Sequence, residues 1–374
     1  MKIAYITSSL EGGGSQFLIP AVTRVLRNAG AEVQVFALSK RDGRALPAML
    51  ADGLQVHVRE GGDRDHLAAY IWLDKQLKSY QPSLIWTSVT RASVIGLLLG
   101  LRHATPVVCW QHNAELRLTR LIPLWLLRWR PAMWLGDSDF VTAITAKRFD
   151  VPPERLACWP LFTAKPDTPQ ARAWCPGQTL RLGSLGRLHS QKGYDILIDA
   201  LARLKRRGFI APMPFKIAIA GDGRDREKIL SALRQADIRE QVELVGFADR
   251  PLDFLAGLHL YLQPSRIEGF GIAMHEAAQA GLPIIATSVG QMGSTIEPGH
   301  SGWLVPPGDA DALADALAEA LSNPQRLAAM GQVARARVLP RYSADVFRMA
   351  GECILERLRV GDLRPTPPTL AQSH

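Results

Sequence analysis

Short apolar runs alternate with helix-length segments along nearly the whole chain, a pattern that restricts it to a layered α/β fold with parallel sheets. In the first half a strand is predicted over 2–7, then a glycine turn at Gly12-Gly13-Gly14, a helix from about Gln16 to Asn28, and a strand from Glu32 to Leu38. A helix near 64–80, the strand Leu84 to Thr87, a helix near 91–101 and a strand from Pro106 to Trp110 follow. The pattern loosens around 138–175, where prolines crowd, and a linker is placed at 163–178. It restarts at Leu180, with a helix over Tyr194 to Arg207 and strands over 215–220, 241–245, 258–262 and 283–287. Ala-rich helices close the chain at 309–322, 324–338 and 343–359. The expectation is two Rossmann-like, doubly wound parallel-sheet domains, 1–165 and 178–340, facing across a cleft. A helix at 341–360 is expected to return toward the N-terminal domain, and 361–374 to be a disordered tail.

At 374 residues the chain exceeds one ordinary core, which also argues two domains. Cys109, Cys158, Cys175 and Cys353 show no paired spacing, so neither a zinc site nor a disulfide framework is indicated, as fits a reducing cytoplasm. Met1 to Thr7 already reads as a strand, so no signal peptide is expected, and no apolar run is long enough to span a bilayer. A net charge of +9 invites a polyanion. Nucleic acid is excluded from the reading, because no reader motif and no dense basic stripe with interleaved aromatics is present.

The richest stretch is Pro264 to Glu276. It sets Glu268 on a strand-to-helix loop and Glu276, eight positions on, in the first turns of a helix, with Gly269-Phe270-Gly271 between them. Two acids beside a helix N-terminus suit a ligand with an anionic part and a hydroxyl-rich part. Gly186-Arg187-Leu188-His189-Ser190-Gln191-Lys192-Gly193 also joins a strand to a helix, and there Arg187 offers a planar fork and Lys192 a point charge to phosphate oxygens. Gly221-Asp222-Gly223 is either an ordinary βα turn or a nucleoside contact. Gly12-Gly13-Gly14 lacks dinucleotide spacing and no acid ends the second strand, which disfavours an oxidoreductase; a tight turn and close substrate approach both remain open. His112 closes a strand and is a ligand candidate. Asp137-Ser138-Asp139 is placed at the amino end of a strand over 140–145, away from the ligand edge, and no catalytic metal is expected. The segment 116–135 holds Arg117, Arg120, Arg128 and Arg130 without an acid, plus Trp125, Trp129 and Trp134. It suits either an anionic membrane interface or a core helix with a basic outer face.

Taken together, these residues resemble the retaining family-4 glycosyltransferases of GT-B fold. Glu268 and Glu276 resemble that family's E-x7-E signature, Gly186-Arg187 with Lys192-Gly193 its phosphate loop, and Gly221-Asp222-Gly223 its second glycine loop. Ser288-Val289-Gly290 and Gly302 to Asp309 resemble later landmarks; the likeness is dense from about 180 to 312 and looser over 1–150. The resemblance implies a UDP- or GDP-sugar donor in the cleft. Arg187 and Lys192 would hold the diphosphate, Glu276 the ribose hydroxyls and Glu268 a sugar hydroxyl. Gly269, Phe270 and Gly271 would line the donor by backbone N–H groups, His112 would touch the sugar, and Gly13 and Gly14 would lie near the diphosphate or acceptor. Two departures stand out: Gln291-Met292 follow Gly290 where the family often has proline and an acid, and His275 replaces an aliphatic.

The function these readings imply is a metal-independent, retaining hexosyltransferase that needs no cofactor. It would act in the cytoplasm, either free or at the inner face of the cell membrane, on a saccharide or lipid-linked saccharide acceptor in surface or exopolysaccharide synthesis. The alternatives are a nucleotide-sugar epimerase of the same fold and a non-catalytic nucleotide-sugar binder.

Overall fold

The computed structural model describes residues 1–361; the tail expected to be disordered lies, from 362 on, outside the described residues. The chain divides into two compact units, Met1–Leu161 with the segment from Asp345 on, and Phe162–Ala344.

The first unit contains strands β1 (Lys2–Thr7), β2 (Glu32–Ala37), β3 (Gln55–Val58), β4 (Leu84–Ser88), β5 (Val107–Gln111), β6 (Met133–Gly136) and β7 (Leu156–Cys158). They form one sheet in the order β3-β2-β1-β4-β5-β6-β7, every pair parallel. Its helices are α1 (Gly14–Phe17), α2 (Ile19–Asn28), α3 (Leu46–Ala51), α4 (His66–Tyr80), α5 (Thr90–Arg102), α6 (Leu118–Leu126) and α7 (Asp139–Phe149). Because β4 and β5 are buried on both faces, they read as near-continuous apolar runs, whereas the short edge strands β3 and β7 are half-buried and carry no such signal.

The second unit holds β8 (Leu180–Leu185), β9 (Phe215–Ala220), β10 (Val242–Gly246), β11 (Leu260–Gln263), β12 (Ile284–Thr287) and β13 (Gly302–Val305), ordered β10-β9-β8-β11-β12-β13 and again all parallel. Helices α8 (Tyr194–Arg206), α9 (Arg226–Gln235), α10 (Pro251–Ala256), α11 (Ile272–Gln279), α12 (Met292–Thr295), α13 (Ala310–Ser322) and α14 (Leu327–Arg341) cover its faces. In both sheets the strand order reverses beside the first strand, between β1 and β4 and between β8 and β11. Such a reversal opens a crevice at the carboxyl ends of the strands, where doubly wound sheets bind ligands. The proline-rich segment at 163–178 runs along the second unit: Lys165 N–H donates to Gln279 Oε1 at 2.8 Å, Ala171 N–H to Ala280 O at 2.7 Å, and Arg335 to Pro166 O.

Two sequence readings are corrected. Residues 140–145 are helical, within α7. Ser138 caps that helix, its hydroxyl accepting from Val141 N–H at 3.1 Å, and Val141, Thr145 and Phe149 bury one face at helical spacing. The β-branched residues in this segment mimic a strand. Asp137 therefore sits at the carboxyl end of β6, on the ligand-binding edge, and not at a strand's amino end. The segment 116–135 is likewise not one element: α6 ends at Leu126, and Trp134 lies in β6, buried and stacked on Phe149 at 4.5 Å.

The final helix, α15 (Ala344–Val360), packs on the first unit. It lies against a buried aromatic group in which Trp110 and Trp159 stack at 5.1 Å and Trp86 meets both rings edge-on. Trp159 Nε1 donates to Phe347 O at 2.9 Å, which satisfies an indole N–H inside the core. Gly351 makes the approach possible, because a Cβ there would fall 2.3 Å from the Trp159 ring. Gly351→Ala gains about 1 kcal/mol of helix propensity but overpacks by about 1–3 kcal/mol. The net expectation is a lower urea midpoint at unchanged m; an unchanged or higher midpoint would show that α15 does not bear on Trp159.

Candidate functional site

The second unit's crevice is flanked by the two loops that leave β8 and β11, and these are the loops the sequence singled out. They are bound to one another. Arg266 donates its backbone N–H to Gln191 O at 2.8 Å and Nη1 to Ser190 O at 2.9 Å, and its guanidinium grips Asp195 with two 2.7 Å contacts. Gly193, at φ 68°, passes so close to the other loop that a Cβ would lie 1.9 Å from Pro264 O; only glycine fits that contact.

This contact brings Lys192 onto Glu268. Glu268 Oε1 accepts from Lys192 Nζ, from Gln263 Nε2 at 2.8 Å and from Ser265 Oγ at 3.0 Å. Gln263 is itself held by the hydroxyl of buried Tyr261, which donates to its Oε1 at 2.8 Å. Glu268 is thus an oriented carboxylate with an internal counterion. An ammonium has three N–H donors, so Lys192 keeps two for a ligand. Arg187 is exposed, and its guanidinium makes no hydrogen bond or ion pair among the described residues. The N-terminus of α8 follows directly; its N-cap Gly193 offers no side-chain acceptor, and the Asp195 carboxylate in the first turn accepts from the backbone N–H groups of Asp195 and Ile196. The neighbouring loop, Gly221-Asp222-Gly223, lies against the first: Leu188 N–H donates to Asp222 O at 2.9 Å, and a Cβ on Gly221 would strike Gly186 O. Asp222 spends Oδ1 on its own loop, accepting from Gly223 N–H at 2.8 Å.

Glu276 lies in the second turn of α11, half-buried, and no side chain among the described residues pairs with its carboxylate. Burial pushes this carboxyl up to about 7, against a smaller opposite pull from Lys165. Gly271 caps the helix, and Gly269 O accepts from Gln291 N–H at 2.9 Å, which docks the unusual 290–292 turn onto the loop. Phe270 points into the core and stacks on His275 at 4.1 Å, so only its backbone can face a ligand. His275 is fully buried as well, with Nδ1 3.0 Å from Gly271 O and Nε2 3.1 Å from Thr295 Oγ1. Burial pulls its imidazole down to about 3, so the ring is neutral and belongs to the core rather than to a ligand.

In the first unit, Gly13 and Gly14 open α1 at the carboxyl end of β1. His112 follows β5, with Nε2 2.8 Å from Ser88 Oγ at the end of β4 and Nδ1 3.4 Å from Asp137 Oδ2 at the end of β6. Ser88, His112 and Asp137 thus line up along three adjacent strand ends. Directly after Ser88, Val89 holds φ 66°, a conformation that costs a β-branched residue about 1–3 kcal/mol. Sequence reasoning missed both neighbours of His112. The apolar run Met133-Trp134-Leu135 was the signal for β6, but it was absorbed into the Trp- and Arg-rich segment. Among the described residues, no three His, Cys, Asp or Glu side chains cluster to hold a metal.

Comparison with known proteins places a family on each unit. Residues 176–337 match the model for glycosyl transferases group 1, and residues 12–163 match the model for glycosyltransferase family 4. The chain is 30% identical over 181 residues to a putative colanic acid biosynthesis glycosyltransferase, WcaL, of Salmonella typhimurium, covering 46% of this chain and 44% of that relative. It is 29% identical over 315 residues to the O-antigen biosynthesis glycosyltransferase WclY of Escherichia coli, covering 77% and 80%. The crystal structure of Anabaena Alr3699/HepE in complex with UDP-glucose superposes with a TM-score of 0.81 at 19% identity, over 95% of this chain and all of that one. The chain spans less than half the length of WcaL. A glycosyltransferase model thus matches each unit, and the fold is that of GT-B architecture.

The Glu276 environment has a consequence for stability. A carboxyl raised from 4.5 to about 7 favours the protonated fold, so its contribution is fully present below 4.5 and is lost as pH rises through about 7. Glu276→Gln is therefore expected to raise the unfolding temperature of the ligand-free protein at pH 8, with the gain shrinking toward pH 5. A gain of equal size at both pH values, or none, would contradict an unpartnered, desolvated carboxylate.

Proposed function

We propose that this GT-B glycosyltransferase moves a sugar from a nucleoside diphosphate sugar, with a UDP-sugar as the first candidate, to a saccharide or lipid-linked saccharide during synthesis of a cell-surface polysaccharide. One observation carries the reading: unpaired Arg187, partly free Lys192 and partnerless Glu276 all lie on the two loops and the helix that flank one sheet-reversal crevice. Cations on the loop suit the diphosphate, while a carboxylate without donors suits vicinal hydroxyls. The polysaccharide setting is supported by what WcaL and WclY are named for, and the uridine donor by the ligand in HepE.

The chemistry follows from where charge develops. Departure of the nucleoside diphosphate builds negative charge on the leaving oxygen, and Arg187 and Lys192 supply positive potential without reorganising. We read the transfer as metal-independent on that basis. Glu268 is tied by three donors and sits on the same loop-and-helix wall as Glu276, so it orients a sugar hydroxyl rather than attacking carbon. Retention then has the acceptor enter on the face the diphosphate leaves, its proton passing to the departing phosphate oxygen. In the first unit, His112, held by Ser88 and lying beside Asp137, is the residue assigned to a ligand hydroxyl.

The test is a donor screen by nucleotide release, with UDP- and GDP-sugars, with and without a saccharide acceptor. Transfer predicts nucleotide release that depends on acceptor. Lys192→Ala should lower kcat by about 10²–10³-fold, as loss of one preorganised donor to a developing anion does. Glu276→Ala should act mainly on the donor KM. A donor isomer formed without acceptor would replace this reading by epimerisation, and wild-type turnover in both variants would remove the site assignment.

A further inference from the structure

The outer surface of the first unit carries an apolar face that the sugar-transfer chemistry does not use. Helices α4, α5 and α6 cover the same side of the sheet, burying Leu73, Leu77, Ile95, Leu99 and Leu124 in one core cluster. Helix α5 packs against both of the others, and Asp74 of α4 is joined to α5 by His103 Nε2 at 2.7 Å and Arg102 Nε at 3.1 Å. Their outward sides carry large apolar residues among basic ones such as Lys75, Lys78, Arg102 and Arg120. Leu67 and Ile71 stand one turn apart on α4, and Leu98 and Leu101 face out from α5. On α6, Leu118, Ile122, Trp125 and Leu126 repeat at helical spacing with only Leu124 buried. These eight side chains are 41–72% exposed. Large apolar side chains left exposed on three adjoining helices point to an interaction face.

Charge decides the occupant. From Arg64 to Arg130 there are nine Lys and Arg but only three acids, so this stretch supplies +6 of the chain's +9. Asp65 is taken by Arg59 and Arg91, Asp74 by Lys78, Arg102 and His103, and Glu115 lies in the field of Arg148. Arg117 and Arg120 meet no carboxylate among the described residues, and Arg128 lies over the Trp125 ring at 3.9 Å. Exposed leucine, isoleucine and tryptophan set among unneutralised arginines match an anionic bilayer surface, with the rings at headgroup depth and the guanidinium groups on lipid phosphate. No helix among the described residues is long and apolar enough to cross a membrane, so the contact would be interfacial.

We infer that the face formed by α4, α5 and α6 docks this chain on an anionic membrane surface. Co-sedimentation with phosphatidylcholine vesicles, with and without about 30% phosphatidylglycerol, tests it. Binding to the anionic vesicles alone is expected, weakened about tenfold or more when NaCl rises from about 50 mM to about 500 mM. Ile122→Ser with Trp125→Ser, and separately Arg117→Gln with Arg120→Gln, should each reduce it while leaving the unfolding temperature unchanged. The second pair alters charge without touching the apolar side, so a folding defect in the first cannot mimic the result. Failure to pellet at low salt, or binding unaffected by both pairs, would overturn the inference. So would a wild-type dimer that the Ile122 and Trp125 pair dissolves, since that would assign the face to a second copy of the chain. Nucleotide release is read separately, so vesicle binding stands or falls independently of the sugar-transfer reading.

Discussion

The candidate site depends on one contact, the grip of Arg266 on the loop that follows β8. A parallel sheet does not itself fix the loops at its carboxyl edge, and two loops across a strand reversal have no ladder hydrogen bonds between them. Here a single guanidinium closes the gap by binding Ser190 O and both carboxylate oxygens of Asp195 while its backbone N–H satisfies Gln191 O. The planar fork of arginine matches that bidentate demand, which lysine could not meet. Gly193 removes the steric obstacle, and Lys192 is then delivered to Glu268.

Within this frame the two glutamates differ by environment. Glu268 has a lysine, an amide and a hydroxyl on one oxygen and is ready to orient whatever approaches the other. Glu276, eight residues on, has burial without donors, and its carboxyl is held up to about 7 as a result. Partial burial without a donor disfavours the charged form of a carboxyl. Donated hydrogen bonds from a ligand would favour the ionised form and relieve the cost on binding. On the proposed function, the cations for the diphosphate and the acceptor for the hydroxyls lie on neighbouring elements and play separate parts.

Much of this was legible in the sequence because the relevant elements have strong periodic signals. β8 and β11 are buried runs, α8 and α11 start at glycines, and the residues between them are charged or small, so the positions of Lys192, Glu268 and Glu276 could be assigned before any coordinates. The grip of Arg266 could not, since a surface arginine carries no mark of its partner seventy-odd positions away. The surroundings of His112 were lost for a different reason. Val141, Thr142, Ile144 and Thr145 have the β-branched character of a strand, yet the Ser138 cap and the buried Val141-Thr145-Phe149 stripe make a helix, which moves Asp137 to the opposite end of its strand. His275 is marked in the sequence only as a polar ring where the family has an aliphatic. Its aromatic neighbours Phe162, Phe270 and Tyr342 come from three separate segments, and only tertiary packing shows that it is core.

On the proposed function, Glu276 is a carboxylate kept without donors until a nucleotide supplies them. The direct measurement is a carbon-13 NMR titration of the Glu276 side-chain carboxyl, assigned by comparison with Glu276→Gln, with and without saturating UDP. A midpoint near 7 in the free protein that falls by a unit or more with UDP is the predicted result. A midpoint in the ordinary carboxylate range, or one that UDP leaves in place, would contradict it.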